Sequence, residues 1–344
     1  MRKLATVRKI DAINPIPNAD AIEVATVGGW KVVVKKNEFN VGDMAVYCEI
    51  DSWMPTEIAP FLSKGKEPNE FEGVKGERLR TVKLRGQLSQ GMLLNMSIVE
   101  KIIGNPMRKF QEGEDVTESL GIVKWEMPIP TQLAGLVKGN FPTSIPKTDQ
   151  ERVQNLVEEI KNAHAKGMKF EVTEKLEGSS MTCYLIDNEF GVCSRNLDMK
   201  RDPNNTLWAT AIHEKLEEKM RAVPTVSDFA IQGELVGPGI QGNIYKLKKH
   251  AFYVFDIYNI SLGRHLTPIE RQELVRLVDL PHVPVIAVDK ELGTGEVDYI
   301  LDWADGKSAI GDMNSLWREG IVFKAMNGEY SFKAISNKYL MEEK

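Results

Sequence analysis

The sequence predicts an α+β protein of two domains, in which an antiparallel β-barrel or sandwich precedes a larger domain of antiparallel sheets flanked by helices. Its 344 residues are enough for about two domains of ordinary size. Short apolar runs broken by turn residues dominate the first third, whereas strand-like runs and helical periodicity alternate in the rest. With 42% hydrophobic and 27% charged residues, the composition is typical of a folded globular protein.

The first domain is predicted from the alternation between Val7 and about Pro55. The runs VATVGGW, KVVVKK and MAVYCEI are separated by glycine-bearing turns, a pattern that favours short antiparallel strands. A polar loop is expected from Glu67 to Gly76, followed by the strand-like stretches LRTVKLRG and GMLLNMS. We expect this domain to cover residues 1–121.

A connector is predicted over residues 122–147, because WEMPIPTQLAGLVKGNFPTSIPK contains several prolines and glycines and little periodicity. The second domain is then expected to span residues 148–344. It should open with a helix, since Thr148 and Glu151 have the spacing of a capping box and apolar residues recur on one helical face after them.

The elements of the second domain follow from its apolar runs. Helices are expected over Leu207 to Met220 and from Pro268, where Thr267 and Glu270 form a second capping box. The hairpin pattern CYLIDNEFGVC favours antiparallel pairing. The predicted strands are KFEVTE, MTCYLID, FGVCSR, FAIQGELV, AFYVFDIY, GIVFKAM and YSFKAI.

Net charge and the lack of targeting signals bear on where the protein is located and what it binds. The net charge of -5 argues against adhesion to nucleic acid over the whole surface, but it leaves room for a local basic groove. No apolar run approaches the roughly 20 residues of a membrane span, and MRKLATVRKI lacks the apolar core of a signal peptide. We therefore expect an intracellular protein, in the cytoplasm and without a membrane partner. The three cysteines lack metal or disulfide spacing and are expected to be core thiols.

The stretch VTEKLEGSSMT, residues 172–182, places Lys175 between two glutamates and ahead of a glycine. A lysine can attack phosphorus only when deprotonated, which requires nearby positive charge to lower its pKa from about 10.4. Taken alone, KLEG is a weak signal, because a solvated lysine in a turn is the more common explanation of such a sequence. The segments that follow it in the chain decide between the two interpretations.

Those segments occur in a fixed order after KLEG. They are Ser194-Arg195-Asn196, Glu234 in QGELVG, Phe255-Asp256 in FYVFD, the run from Glu319 to Lys324, and Lys333 in SFKAIS. In this order they resemble the motifs of the covalent nucleotidyltransferases, the superfamily of ATP-dependent nucleic-acid ligases and RNA capping enzymes. The resemblance spans about half of the chain.

Within that superfamily the chain most resembles ATP-dependent RNA ligases with an OB-fold module ahead of the nucleotidyltransferase (adenylation) domain. NPIPNADAIEVATVGGWKVVV and VGDMAVYCEIDSWMP are similar to that module, which makes residues 1–121 an OB-like β-barrel that binds RNA. Classical DNA ligases and capping enzymes carry their OB domain after the catalytic one, and too little chain follows Lys333 for such a domain.

The resemblance also implies roles for individual residues. Lys175 becomes adenylylated, Lys324 and Lys333 hold the α-phosphate, and Arg152, on the expected opening helix, meets the outgoing phosphates. Phe255 stacks on adenine. Residues implied to orient a hydrated Mg²⁺ or Mn²⁺ ion are Glu234, Asp256 and Glu319. The remaining ATP contacts are assigned to Glu174, Leu176, Glu177 and Arg195, the last two at the nucleotide sugar or the substrate end.

Elementary electrostatics agrees with these roles, because cations around the α-phosphate offset the charge that builds as pyrophosphate leaves. The same cations are expected to favour a neutral Lys175. Each residue also has an ordinary interpretation: Phe255 as a core residue, Asp256 as the end of a strand, and Lys324 and Lys333 as solvent-facing strand residues.

Two positions depart from the superfamily pattern. Some members have a second lysine two positions after the residue matching Lys333, where this chain has Ile335. Glu177 stands where many DNA ligases have aspartate, which favours the RNA-ligase branch.

The resulting expectation is an ATP-dependent RNA ligase that seals 3′-hydroxyl and 5′-phosphate ends, at nicks in duplex RNA, through lysyl-AMP and RNA-adenylate intermediates in RNA repair. DNA nick sealing, guanylyl transfer to RNA and noncatalytic RNA binding stay open as alternatives. The sequence leaves the oligomeric state undetermined and is compatible with a monomer.

Overall fold

The computed structural model describes residues 3–104, 109–126, 135–224, 228–311 and 315–342. These form two compact units, Met1–Pro128 and Ile129–Lys344, each with hydrophobic cores of its own. Of the segment expected as a connector, Val123–Lys124 pairs within the first unit and Val137–Asn140 within the second. The α+β class predicted from the sequence is confirmed.

Antiparallel strands dominate the first unit. They form two three-stranded sheets, a four-stranded sheet and a two-stranded hairpin. The strands are β1 (Ala5–Lys9), β2 (Ala12–Pro15), β3 (Ile22–Val27), β4 (Trp30–Lys35), β5 (Met44–Cys48), β6 (Ser52–Pro55), β7 (Asn69–Phe71), β8 (Val74–Arg78), β9 (Val82–Leu84), β10 (Gln87–Ser89), β11 (Met92–Asn95) and β12 (Val123–Lys124), with helix α1 at Met96–Ile103.

The β3–β4 hairpin shows how the apolar alternation becomes structure. Gly28 and Gly29 both have positive φ, at 54° and 86°, as a two-residue hairpin turn requires. Trp30 and Val32 then fall on the buried face. The expected polar loop from 67 to 76 is wrong, because β7 and β8 form a second hairpin there. Most side chains of these two strands are exposed or half-buried, so they lack the apolar alternation that marks a strand.

The second unit continues the numbering. Its strands are β13 (Val137–Asn140), β14 (Glu151–Arg152), β15 (Phe170–Lys175), β16 (Ser179–Ile186), β17 (Glu189–Cys193), β18 (Leu197–Met199), β19 (Phe229–Val236), β20 (Ala251–Asn259), β21 (Arg264–His265), β22 (Val285–Lys290), β23 (Gly320–Ala325) and β24 (Ser331–Ile335). Its helices are α2 (Val157–Ala165), α3 (Thr206–His213), α4 (Leu216–Arg221), α5 (Pro268–Leu277), α6 (Val297–Ala304) and α7 (Asn337–Glu342).

Two sheets organise this unit. A seven-stranded sheet has the order β13-β18-β17-β16-β19-β20-β21, and a five-stranded sheet has the order β14-β24-β23-β15-β22. All pairings are antiparallel except that of β14 with β24. Apolar residues of α3, α4 and α5 share a core with the larger sheet, and those of α2 and α6 share a core with the smaller one. The expected antiparallel sheets flanked by helices are thus confirmed.

Helix boundaries differ from the sequence prediction in two places. No helix opens at Thr148, because Glu151–Arg152 pairs as a strand with β24 and the Glu151 carboxylate accepts hydrogen bonds from the Arg152 N–H and the Asn155 side chain. The helix expected from 207 to 220 is broken at Lys215, whose φ of 54° is left-handed. The capping box at Thr267 is present.

The longest α-helix among the described residues has ten residues, and none of those helices combines the length and apolar character of a membrane span. Cys48, Cys183 and Cys193 are buried free thiols, as the sequence predicted.

Candidate active site

Strand register places four of the predicted site cations on one face of the five-stranded sheet. Directly opposed residues of neighbouring strands point to the same side, so the pairs Arg152–Lys333 and Lys333–Val322 share a face. Lys324 lies two residues after Val322 and therefore joins them. Val322 in turn pairs with the β15 residue two positions before Lys175, which brings Lys175 to the same side.

Lys175 ends β15 next to Glu319, which directly precedes β23. The Lys175 Nζ donates to Glu319 Oε1 at 2.7 Å, and 27% of the lysine side chain is exposed. Burial alone would lower the pKa of the Lys175 ammonium, but the carboxylates of Glu319 and Glu234 outweigh burial and the charge of Arg152, so the pKa is raised. The expectation that surrounding cations favour a neutral Lys175 is therefore wrong for the protein without a nucleotide, because carboxylates dominate its immediate surroundings.

Glu234 completes this group from β19 of the larger sheet. Burial raises the pKa of its carboxyl to about 7, helped by the negative charge of Glu319 and opposed by Lys175 and Arg195. Gly178 allows β19 to approach the chain just after Lys175, since a Cβ at position 178 would lie 2.4 Å from the Leu235 carbonyl oxygen.

Lys324 connects the two sheets of the unit. Its Nζ lies 2.7 Å from Asp256 Oδ2 on β20 and donates to the Phe255 carbonyl. Burial lowers the pKa of Lys324 to about 8, with Arg271 assisting and Asp256 opposing. Burial would raise the pKa of Asp256, but the charges of Lys324, His265 and Arg271 hold it well below its usual range. The pair is therefore ionised at neutral pH.

A register shift in the β19–β20 pairing sets the direction of Phe255. Gln232 pairs with Asp256 and Gly233 with Val254, so Phe255 is the extra residue of a β-bulge. Its side chain is half-buried, and Lys324 Nζ lies 5.9 Å from its ring centroid. Phe255 also packs against the apolar cluster around Leu176, so part of its ring contacts the core and part is open to a ligand.

The residues on either side of Lys175 anchor the loop that follows it. The Glu174 carboxylate is buried and accepts from Ser308 Oγ at 2.5 Å and the Ala309 N–H at 2.7 Å. Leu176 is buried in an apolar cluster. The Glu177 N–H donates to the hydroxyl of Tyr245 at 2.7 Å.

Arg195 and Lys333 complete the predicted set. The Arg195 guanidinium is exposed and binds both carboxylate oxygens of Asp149, at 2.8 and 2.9 Å, while its charge also reaches Glu234. Lys333 is half-buried on β24, beside Arg152 of β14. All of the predicted site residues thus lie in the second unit.

Comparisons with known proteins agree with this architecture. One family model, described as an OB-fold domain, matches residues 4–96, and another, described as RNA ligase, matches residues 168–338. The chain is also similar throughout its length to a Naegleria gruberi RNA ligase. A mutant of that ligase with ATP and Mn is 47% identical and superposes with a TM-score of 0.84, covering 99% of each chain. The chain belongs to the RNA ligase family.

Two further structures of the Naegleria gruberi ligase are equally similar to this RNA ligase. A mutant with AMP and Mn is 48% identical, covers 99% of each chain and has a TM-score of 0.85. The ligase with PPi is 48% identical, covers 100% of this chain and 99% of that chain, and has a TM-score of 0.84. A search of curated proteins gave no match.

The acidic residues of the ligase fit a hydrated divalent cation. Burial is the main cause of the raised pKa of Glu234 and the charge of Glu319 adds to it, so a cation held by these carboxylates would offset their negative charge. Asp256 forms an ion pair with Lys324, and its part in orienting the cation stays a prediction. Within the described residues no three His, Cys, Asp or Glu side chains form a ready metal cluster, so most ligands would come from water or phosphate, as magnesium prefers.

Sequence reasoning missed a buried network behind Lys324. Arg271 on α5 is fully buried, forms an ion pair with Glu171 and donates from Nε to His282 Nε2 at 3.0 Å. Burial and Arg271 lower the pKa of His282 to about 4, so its ring is neutral. Two signals were available: Glu171 interrupts an apolar strand, and Arg271 stands three and four residues before the apolar pair LV of α5. No signal in the sequence indicated that Tyr245, in the basic run YKLKKH, accepts a hydrogen bond from the Glu177 N–H.

Proposed function

We propose that this ligase uses ATP to join RNA strands bearing a 3′-hydroxyl and a 5′-phosphate at nicks in duplex RNA, as in RNA repair. Family membership supports RNA joining, and the Naegleria gruberi relatives with ATP and Mn, AMP and Mn, and PPi support adenylyl transfer. The observation that carries the proposal is the position of Lys175 on a sheet face shared with Lys324, Lys333 and Arg152.

The first step forms a bond between Lys175 Nζ and the α-phosphorus of ATP, while the bond from that phosphorus to the pyrophosphate oxygen breaks. One proton leaves the ammonium before attack, to Glu319 Oε1, which accepts a hydrogen bond from this group at 2.7 Å. A second proton leaves the nitrogen to water once its bond to phosphorus has formed. A divalent cation bound beside Glu234 and Glu319 would supply positive charge that neutralises these carboxylates and lowers the pKa of Lys175. ATP and this cation are thus required together.

The surrounding side chains take the roles expected from the sequence. Lys324 and Lys333 offset the charge that accumulates on the α-phosphate, and Arg152 stabilises the departing pyrophosphate. Phe255 offers a half-exposed aromatic ring for stacking on adenine. Glu177 and Arg195 contact the sugar or the RNA end. Glu174 and Leu176, which are buried on either side of Lys175, hold the backbone of the nucleotide site in position.

Two transfers complete the reaction. A 5′-phosphate oxygen of RNA bonds to the AMP phosphorus as the bond to Lys175 Nζ breaks, and the lysine regains both protons. The 3′-hydroxyl then attacks the RNA phosphate, releasing AMP and leaving a phosphodiester. We assign RNA binding to the OB-like domain at residues 1–121, the connector to 122–147, and adenylation to 148–344, in a cytoplasmic protein.

The test separates the steps. Wild-type protein given α-labelled ATP and a 5′-phosphorylated RNA nick should become labelled, pass the label to RNA and seal it. Lys175→Ala should fail at labelling and yet seal a nick whose 5′ end already carries AMP, because the last step does not use this amine. Equal labelling of wild type and Lys175→Ala would remove the basis of the proposal.

The same assay distinguishes the alternatives. Labelling by GTP in place of ATP would indicate guanylyl transfer, and equal sealing of DNA 3′-hydroxyl strands would indicate a DNA nick ligase. RNA binding without any covalent label would indicate a noncatalytic protein.

A further inference from the structure

Two lysine ammonium groups lie over a single indole ring outside the catalytic residues. Lys307 Nζ is 3.6 Å and Lys338 Nζ is 4.6 Å from the ring centroid of Trp317. Both lysines are exposed, whereas the tryptophan is half-buried. Cation–π attraction holds each ammonium in place without neutralising its charge. We refer to these three residues as the Trp317 cluster.

Short connections place the Trp317 cluster beside Lys175. Trp317 is two residues before Glu319, the hydrogen-bond partner of Lys175, so the Cα atoms of residues 317 and 319 are at most about 7 Å apart. Lys338 is two residues after Ser336, whose N–H donates to the Glu319 carbonyl at 2.9 Å.

The third member has an anchor of its own. Lys307 immediately precedes Ser308, whose Oγ donates to the carboxylate of Glu174, the residue before Lys175. The Ser308 N–H also donates to the carbonyl of Leu316, next to Trp317. All three members of the cluster are therefore attached, within one or two residues, to groups at the end of β15.

The charge of the cluster is available to a ligand. Lys307 Nζ donates one hydrogen bond, to the Ser315 carbonyl at 2.9 Å, which leaves two of its three N–H groups. Neither Lys307 nor Lys338 forms an ion pair with a carboxylate in the part of the chain that the structure describes. The nearby Asp305 carboxylate already accepts from Ser336 Oγ and the Lys338 N–H.

We propose that the Trp317 cluster binds the phosphate backbone of the RNA strand beside the joining site, with Lys307 and Lys338 contacting phosphates and Trp317 holding both side chains in position. This inference rests on the proposed function. Two adjacent cations ordered over one ring, within a few residues of the partners of Lys175, suit a continuous chain of phosphates. Ordering them in the free protein reduces the entropy lost on binding. The phosphates of ATP are already matched by the cations of the sheet face.

The test uses the full chain with Lys307→Ala and Lys338→Ala combined, and Lys166→Ala as the matched control. Lys166 is an exposed lysine of the same unit that lies before β15, at the opposite end of that strand from Lys175. Labelling by ATP without RNA is measured first, followed by affinity for a nicked RNA duplex at several salt concentrations and by sealing.

The double variant should be labelled by ATP like wild type and should bind RNA roughly tenfold more weakly. The slope of the logarithm of its RNA affinity against the logarithm of salt concentration should be smaller in magnitude by about two, one for each lost phosphate contact. Lys166→Ala should match wild type in all three measurements. Lys307→Arg with Lys338→Arg should restore affinity, and Trp317→Leu should weaken RNA binding although no charge is removed.

Unchanged RNA affinity and salt dependence in the double variant, with a wild type that seals, would overturn this inference alone. A parallel loss of ATP labelling would also overturn it, since the cluster would then serve the nucleotide. A wild type that labels with ATP but neither binds nor seals RNA would contradict the proposed function and the inference with it.

Discussion

Lys175 rests as an ammonium held by carboxylates, not as a free amine. Glu319 and Glu234 raise its pKa, so our proposal assigns its activation to the positive charge of a metal ion bound together with ATP. The sequence predicts this lysine as the nucleophile through its order relative to Glu319 and Lys324. Its protonation state could not be predicted that way, because it depends on which of several charged side chains, distant in the chain, come closest in space.

Lys324 gives the first prediction. Burial lowers the pKa of Lys324 to about 8, with the charge of Arg271 assisting and that of Asp256 opposing. The lysine is therefore charged below about pH 8 and loses its charge as the pH rises through that value. We expect affinity for ATP to fall between about pH 7 and pH 9 for this reason. The measurement is titration of the protein with ATP across that range.

Lys324→Arg is the control for this prediction, since a guanidinium keeps its charge throughout the range. Its affinity for ATP should depend less on pH than that of the wild type. An affinity that falls equally in both proteins would mean that another group is titrating.

Strands with alternating or continuous apolar residues were predicted from the sequence, including β15, β16, β19, β20, β23 and β24. What escaped prediction depends on partners remote in sequence. Glu151–Arg152 is a strand only because β24 lies beside it, and the bulge at Phe255 exists only in the pairing of β19 with β20. Arg152 is accordingly on a strand, not on the expected helix.

The turn between β15 and β16 gives the second prediction. Gly178→Ala would bring a Cβ within 2.4 Å of the Leu235 carbonyl oxygen and 2.9 Å of Glu234 Cγ. We expect a loss of about 1–3 kcal/mol in the free energy of unfolding, and slower labelling by ATP because Lys175 and Glu234 are displaced. Gly139→Ala is the control, since a Cβ there meets nothing within 4 Å. Wild-type labelling by Gly178→Ala would contradict the assigned packing.

The buried ion pair of β15 and α5 gives the third prediction. Arg271→Met should lower the free energy of unfolding by about 3–5 kcal/mol, because Glu171 keeps its hydrogen bond from Gln272 but is left buried without its cationic partner. Adding Glu171→Leu should recover much of that loss, since a buried apolar pair is often as stable as a buried ion pair. Urea denaturation of the three proteins provides the comparison. A double variant no more stable than Arg271→Met would contradict this explanation.

At the scale of the whole molecule, the order of the two domains was predictable from the sequence, and the limits 1–121 and 148–344 stay a prediction. The compact units divide between Pro128 and Ile129, inside the segment expected as a connector. Proline and glycine marked the change of domain, but Val123–Lys124 and Val137–Asn140 each join a sheet on their own side of it. Such edge strands are too short to produce a recognisable pattern.

The division into two units gives the fourth prediction. Residues 129–344 contain their own cores and all of the proposed catalytic residues. We expect this fragment, produced alone, to fold and to be labelled by ATP, but to seal nicked RNA poorly because it lacks the OB-like unit to which we assign RNA binding. Circular dichroism, labelling and sealing assays check the three parts. A folded fragment that cannot be labelled would show that the first unit takes part in the chemistry of ATP.

The central claim is that the amine of Lys175 carries AMP, and peptide mass spectrometry after incubation with ATP and a divalent metal tests it most directly. We predict one AMP adduct, on the peptide containing Lys175, that is lost in acid as a phosphoramidate should be. An AMP adduct on any other residue, or none in a protein that seals RNA, would contradict the account.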